Sequence, residues 1–238
     1  MATTTNKQRL VERIFNTLKK NYDPAGAEER PVLEEFVYGL CREGASPGQA
    51  DQAYRTLTER FFDWNEVRVS SQRELEEVLA DLPEPEARAQ RLVAFLQEVF
   101  ETTFSFDLQD LLNKKGGLKA ATKHLSRYQA ASDFVVSWVT QRSLGGHAIP
   151  LDLPTLRVLG RLGLIDGEEG LESVRGSLEH LVPKARAPLF TDLVSTLAGE
   201  VCLEDAPNCA GCPLAADCPI GQTADGVAVA RTSRVKPR

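Results

Sequence analysis

The chain has 238 residues, 42% of them hydrophobic and 26% charged, with a formal net charge of -6 at pH 7 and a pI near 5.3. No run approaches the roughly 18 apolar residues of a membrane span, and the N-terminal MATTTNKQRL lacks a signal-peptide core, so a cytoplasmic protein without a membrane partner is expected. The acidic balance excludes a surface that is basic throughout, and any nucleic-acid contact must be local, because phosphate neutralisation supplies much of such affinity.

Apolar residues recur at helical spacing from the start: Leu10, Ile14 and Leu18, then Leu33, Phe36, Val37 and Leu40, then Leu92, Phe95, Leu96 and Phe100. No sustained alternation of period two appears, and Pro/Gly punctuation cuts the chain into about ten helices, so the fold class is all-α. Cys41 reads as a lone buried thiol in a helix, and His124, His147 and His180 have no ligand-like spacing. NKKGGLKAATKHLSR concentrates Lys114, Lys115, Lys119, Lys123 and Arg127, a solvated helix face or a local phosphate contact. Downstream, Phe134, Val135, Trp138 and Val139 form a helical stripe that reads as core. Asp152, just ahead of Leu153 and Pro154, carries the signature of a helix N-cap. Residues 221–238, with Arg231, Arg234, Lys236 and Arg238, read as a flexible basic tail.

The densest chemistry lies in CLEDAPNCAGCPLAADC, where four of the five cysteines, Cys202, Cys209, Cys212 and Cys218, fall within 17 residues. Such clustering points to a metal site. Structural zinc usually pairs two C-x2-C knuckles, and only Cys209 and Cys212 form one here. A 4Fe-4S cluster takes one thiolate per iron from unevenly spaced positions, so it is preferred over zinc, and zinc over a disulfide pair.

The pattern C-x6-C-x2-C-x5-C resembles the C-terminal cluster loop of the endonuclease III branch of the helix-hairpin-helix DNA glycosylases. PVLEEFVYGLCREGASPGQADQAYRTLTERF is similar to the early paired helices of that family, and ARAQRLVAFLQEVF to the helix before its hairpin. The resemblance implies two helical lobes with an interlobe cleft. Residues 27–146 would form the six-helix lobe, and residues 1–26 with 147–220 the cluster lobe. It also implies Cys202, Cys209, Cys212 and Cys218 as cluster ligands and double-stranded DNA as the partner.

HAIPLDLPTLRVLGRLGL resembles the segment that carries the family's aspartate, which falls at Asp152, with Arg157 and Val158 in matching positions. A carboxylate there would stabilise the charge that develops on the sugar or orient a nucleophile. The Schiff-base lysine of bifunctional members stands 18 residues earlier, in a hairpin written approximately L-P-G-V-G-x-K-T-A, and this position is Phe134. AP lyase activity is therefore not expected. Neither hairpin glycine is present in YQAASDFVV, and alanine's helix propensity predicts a plain helical continuation through Ala130, Ala131 and Ser132. The glutamine that wedges into the DNA stack would fall near Glu43, whose charge suits the role poorly.

Three functions stay open. The first is a cluster-scaffolded, DNA-binding relative within base excision repair that lacks catalysis; the second is a monofunctional glycosylase that hydrolyses N-glycosidic bonds with Asp152, with Phe134 in an apolar wall for a flipped base. The third is a structural or redox cluster protein that does not touch DNA. A monomer is expected, without a nucleotide cofactor, nucleoid-associated if it binds DNA, and with room for a protein partner.

Overall fold

The computed structural model describes residues 4–22, 28–166 and 169–223, and the basic residues Arg231, Arg234, Lys236 and Arg238 lie outside the described residues. Among the described residues the chain is all-helical, with eleven α-helices, three short 3-10 turns and no strand. In chain order the α-helices are α1 Thr4–Asn21, α2 Val32–Arg42, α3 Pro47–Arg60, α4 Trp64–Val69, α5 Gln72–Val78, α6 Pro85–Thr103, α7 Gly117–Leu125, α8 Asp133–Arg142, α9 Leu153–Arg161, α10 Leu171–Leu181 and α11 Ala187–Glu200. Two compact units result, Ala27–Pro150 and Met1–Gly26 with Leu151–Arg238. No described helix is long and apolar enough to cross a membrane.

Caps set many of the boundaries. Ser46 accepts from the Gln49 backbone while Gln49 returns the bond to the Ser46 N–H, and Ser71 with Glu74 repeats this reciprocal arrangement at the start of α5. Pro47 sits in the first turn of α3, where its missing N–H has no partner to lose. Asp63 caps α4 by accepting from Glu66 N at 2.8 Å.

In the unit Ala27–Pro150, α2 packs against α3, α6 and α8. Its apolar positions are buried all round because it is surrounded, not because its sequence is uniformly apolar: Val32, Leu33, Phe36, Val37 and Leu40 are each 2% exposed or less. Phe36 stacks on Phe95 of α6 with ring centroids 3.9 Å apart, and Tyr128 meets both rings edge-on. Gly39 lets Trp138 approach, since a Cβ there would stand 3.3 Å from the indole. Trp138 in turn donates its indole N–H to the buried Glu35 carboxylate. Arg88 reaches the end of α2, donating to Leu40 O and, at 2.8 Å, to Glu43 O, two carbonyls that the helix terminus leaves exposed. Cys41 is a buried helical thiol, and burial pushes it up to about 12, so it stays protonated. The predicted stripe is core as expected: Phe134, Val135, Trp138 and Val139 are each 4% exposed or less.

One expected element is different. The chain does not run as a continuous helix through Ala130, Ala131 and Ser132: α7 stops at Leu125, a turn spans residues 126–132, and α8 starts at Asp133. Ser132 is extended and its Oγ accepts from Val135 N at 3.1 Å. That cap, with anchoring of the turn by α6, outweighs the small propensity advantage of two alanines.

The other unit packs α11 against α1 and α9, and α1 against α10. Ile14 and Leu18 of α1 are fully buried, as are Leu193 and Val194 of α11. Of the first predicted stripe, Ile14 and Leu18 are thus buried as expected, while Leu10 at its start is half-buried.

Phe36→Ala removes the ring that two aromatic partners share. The expected loss is about 3 to 5 kcal/mol of unfolding free energy, read as a lowered urea midpoint at unchanged slope.

Candidate functional site

The four clustered cysteines follow α11 in a segment with little regular structure, whose one helical turn is the 3-10 piece Cys209–Gly211. Asn208 forms that turn by accepting from Gly211 N at 3.0 Å, and a Cβ at Gly211 would come within 2.8 Å of the Asn208 amide, which is why glycine stands there. Cys202, Cys209, Cys212 and Cys218 all line one pocket together with Arg161, Val201, Pro207, Asn208, Ala215, Ile220 and Gly221. None of the five cysteines is in a disulfide. Burial and then the neighbouring sulfurs push the Cys209 thiol up, and burial likewise leads the rise at Cys212, opposed by a hydrogen bond from the Leu214 backbone.

Two arginines one turn apart on α9 fasten this loop. Arg157 donates through Nε to Cys202 O at 3.0 Å and through Nη2 to Ala198 O at 3.0 Å. Arg161, only 5% exposed, donates through Nη1 to Leu203 O at 2.6 Å and Cys202 Sγ at 3.3 Å, and through Nη2 to Glu204 O at 2.8 Å. Cys218 Sγ donates back to Arg161 O at 3.3 Å. The Nε of Arg161 is buried without a hydrogen-bond acceptor among the described residues. Among the described residues no group of three or more His, Cys, Asp or Glu side chains is arranged to hold a metal ion. Sequence reasoning matched Arg157 to the family segment but gave neither arginine a role; their i, i+4 spacing after Asp152 was the available signal.

Asp152 is the N-cap of α9, as its sequence context predicts. Its backbone is extended, Oδ1 accepts from Thr155 N at 2.9 Å, and the residue is 7% exposed. Pro154 occupies the first turn, where no N–H is needed. Asp152→Ala should lower stability by about 1 kcal/mol, whereas Asp152→Asn, which keeps a capping oxygen, should lie within a few tenths. Urea unfolding of both variants checks this.

In the other unit the basic segment divides. Lys115, Lys119, Lys123 and Arg127 are exposed, and Lys119, Lys123 and Arg127 follow one another at four-residue steps along the α7 face and the residues just after it. Lys114 is half-buried, with Nζ 3.3 Å from His124 Nδ1. Burial, then Lys114 and Arg127, hold His124 below the usual histidine range. Phe134, which the sequence resemblance sets at the place of the family's lysine, is a core ring stacked near Trp138 with centroids 5.9 Å apart. Glu43 is held in an ion pair with Arg91 at 2.8 Å. His147 is half-buried in the segment after α8.

No family model matches the chain. DEMETER-like protein 3 of Arabidopsis thaliana is 23% identical over 227 residues, which cover 87% of this chain. The chain spans only 21% of the length of that relative. Among solved structures, a trapped covalent intermediate of endonuclease III with DNA superposes at a TM-score of 0.69 with 16% identity, covering 93% of this chain and 98% of that one. A thermostable thymine-DNA glycosylase gives 0.64 at 14% identity, with 92% and 98% covered. The H. pylori 3-methyladenine DNA glycosylase bound to 1,N6-ethenoadenine gives 0.61 at 11%, with 81% and 96% covered. With an all-helical chain aligned over nearly its whole described length, the protein has the fold of endonuclease III and its helix-hairpin-helix DNA glycosylase relatives.

Proposed function

We propose that this chain is a 4Fe-4S protein that binds double-stranded DNA within base excision repair and has no AP lyase activity. The observation that carries the metal part is the convergence of Cys202, Cys209, Cys212 and Cys218 on one pocket. The donor set fits the group: four thiols and no histidine line it, and the buried Arg161 Nε–H faces no acceptor among the described residues, as suits a donor placed beside an anionic sulfide cage. A structural zinc site usually pairs two C-x2-C knuckles, and only Cys209 and Cys212 form one here. When bound, the cluster would cross-link residues 202–218 in place of regular secondary structure. Arg157 and Arg161 hold the backbone of that loop from α9.

The DNA part rests on the fold shared with proteins solved as DNA complexes and on the exposed row Lys119, Lys123 and Arg127, with Lys115 beside it and Lys114 partly covered. The absence of lyase chemistry rests on Phe134, since a phenyl ring forms no imine. A second reading is supported by one observation: Asp152 stands at the family's aspartate position with its carboxylate at a helix N-terminus, so hydrolytic excision without a lysine is the alternative activity.

Iron and sulfide analysis of anaerobically purified protein should give four of each per chain, with the visible charge-transfer absorption lost in Cys212→Ala. Zinc in their place, or no metal, would reject the cluster. Duplexes carrying uracil, oxidised pyrimidines, alkylated purines or mismatched adenine, followed by alkali, should show no strand cleavage. Borohydride should trap no covalent adduct. Excision that disappears in Asp152→Asn would establish the glycosylase reading instead. Failure to bind any duplex at low salt would leave a structural or redox cluster protein.

A further inference from the structure

The turn between α7 and α8 contains no glycine and no positive-φ residue. It is held by α6. Arg91 donates to Ala130 O through Nε at 3.2 Å and Nη2 at 2.9 Å, while Nη1 is anchored on Glu43 at 2.8 Å. From two turns further along the same helix, Glu98 places both carboxylate oxygens 3.2 Å from Gln129 N. Ala131 N is taken by Tyr128 O at 2.9 Å. Glu98 is close enough to add to the rise of Tyr128, whose hydroxyl burial first and this carboxylate second push up to about 12.

We propose that Glu98 is an electrostatic stop that closes the turn to nucleic-acid phosphate and confines the phosphate contact to the outer face of α7. Two backbone donors of the turn, at Gln129 and Ala131, are satisfied from within the chain, and the acceptor of one is an anion where a phosphate oxygen would otherwise sit. Asp133 adds a second carboxylate in the first turn of α8, the end of a helix that would otherwise favour an anion. The neighbouring α7 face is the opposite: Lys119 and Lys123 are exposed on it, and Arg127 follows in the turn just past its end. A phosphate approaching this region meets repulsion beside Glu98 and attraction along the α7 face and Arg127. This inference rests on the DNA-binding reading above.

The test measures full-length chain binding to a fluorescein-labelled undamaged duplex by anisotropy across a salt series. Glu98→Gln, which keeps an acceptor for Gln129 N and so preserves the turn, should tighten binding on the order of fivefold, the scale of one like charge removed near a phosphate. Glu98→Ala, which also frees the N–H, should tighten it at least as much. Glu101→Gln, the same charge change at an exposed position of α6, should move it less than about twofold. Lys119→Glu with Lys123→Glu should weaken binding and reduce the salt slope by about 2 in magnitude. In amide NMR spectra the Gln129 resonance should shift on adding duplex in Glu98→Ala and stay put in the wild type. Equal effects of Glu98→Gln and Glu101→Gln, or a Gln129 resonance that responds to duplex in the wild type, would overturn the inference while leaving DNA binding standing. Absence of binding by the wild type and every variant would remove the DNA-binding reading and this inference with it.

Discussion

A guanidinium–carbonyl clamp organises the part of the molecule that carries the distinctive chemistry. The segment from Cys202 to Cys218 has one short 3-10 turn and few buried apolar side chains, Leu214 being the main one. Hydrophobic burial alone supplies little to fix it. Arg157 and Arg161 instead gather the carbonyls of Ala198, Cys202, Leu203 and Glu204, groups at and beyond the end of α11 that have no helical partner of their own. A planar guanidinium with several fixed donors can hold several carbonyls together at once, which an ammonium group cannot do with the same geometry. The same nine-residue helix begins at Asp152, so its N-terminal cap and its cysteine-loop clamp are rigidly related by two turns of α-helix. A change at either end is transmitted along one element.

The unit Ala27–Pro150 meets a different constraint. Its turn between α7 and α8 uses no positive-φ residue and so needs no glycine, and its course is fixed by contacts from another helix. Arg91 and Glu98 of α6 impose it by holding one carbonyl and one amide, and Ser132 then restarts the helix. α6 can act this way because the same face is also fixed by packing: Arg91, Phe95 and Glu98 share one stripe at i, i+4 and i+7, Phe95 lies on Phe36, and Tyr128, at the start of the turn, packs against both. Polar anchoring and aromatic packing from one face of α6 leave the turn little freedom.

The fold agrees with the endonuclease III scaffold, while the proposed function takes Phe134, a core residue, at the place of the family's lysine. A scaffold tolerates such replacement because packing needs volume and periodicity, whereas covalent catalysis needs one nucleophile at one place.

Much of this was legible in the amino-acid sequence. Helical periodicity identified the buried faces around Leu18, Phe36 and Phe95, since a 3.6-residue repeat leaves its mark whatever the partner helix is. Asp152 ahead of Leu153-Pro154 announced a cap because capping is local, decided within four residues. The cysteine spacing singled out four thiols that one pocket brings together. The turn at residues 126–132 was misread as helix because alanine propensity is a weak local preference, worth less than the contacts that Arg91 and Glu98 make from more than thirty positions away. The roles of Arg157 and Arg161 were likewise invisible, since their acceptors lie some forty residues further on. What the sequence by itself determined is therefore what short-range periodicity, capping and ligand spacing encode. Only the tertiary structure decided which charged side chains hold which backbone groups, because those bonds join residues that only folding brings within 3 Å.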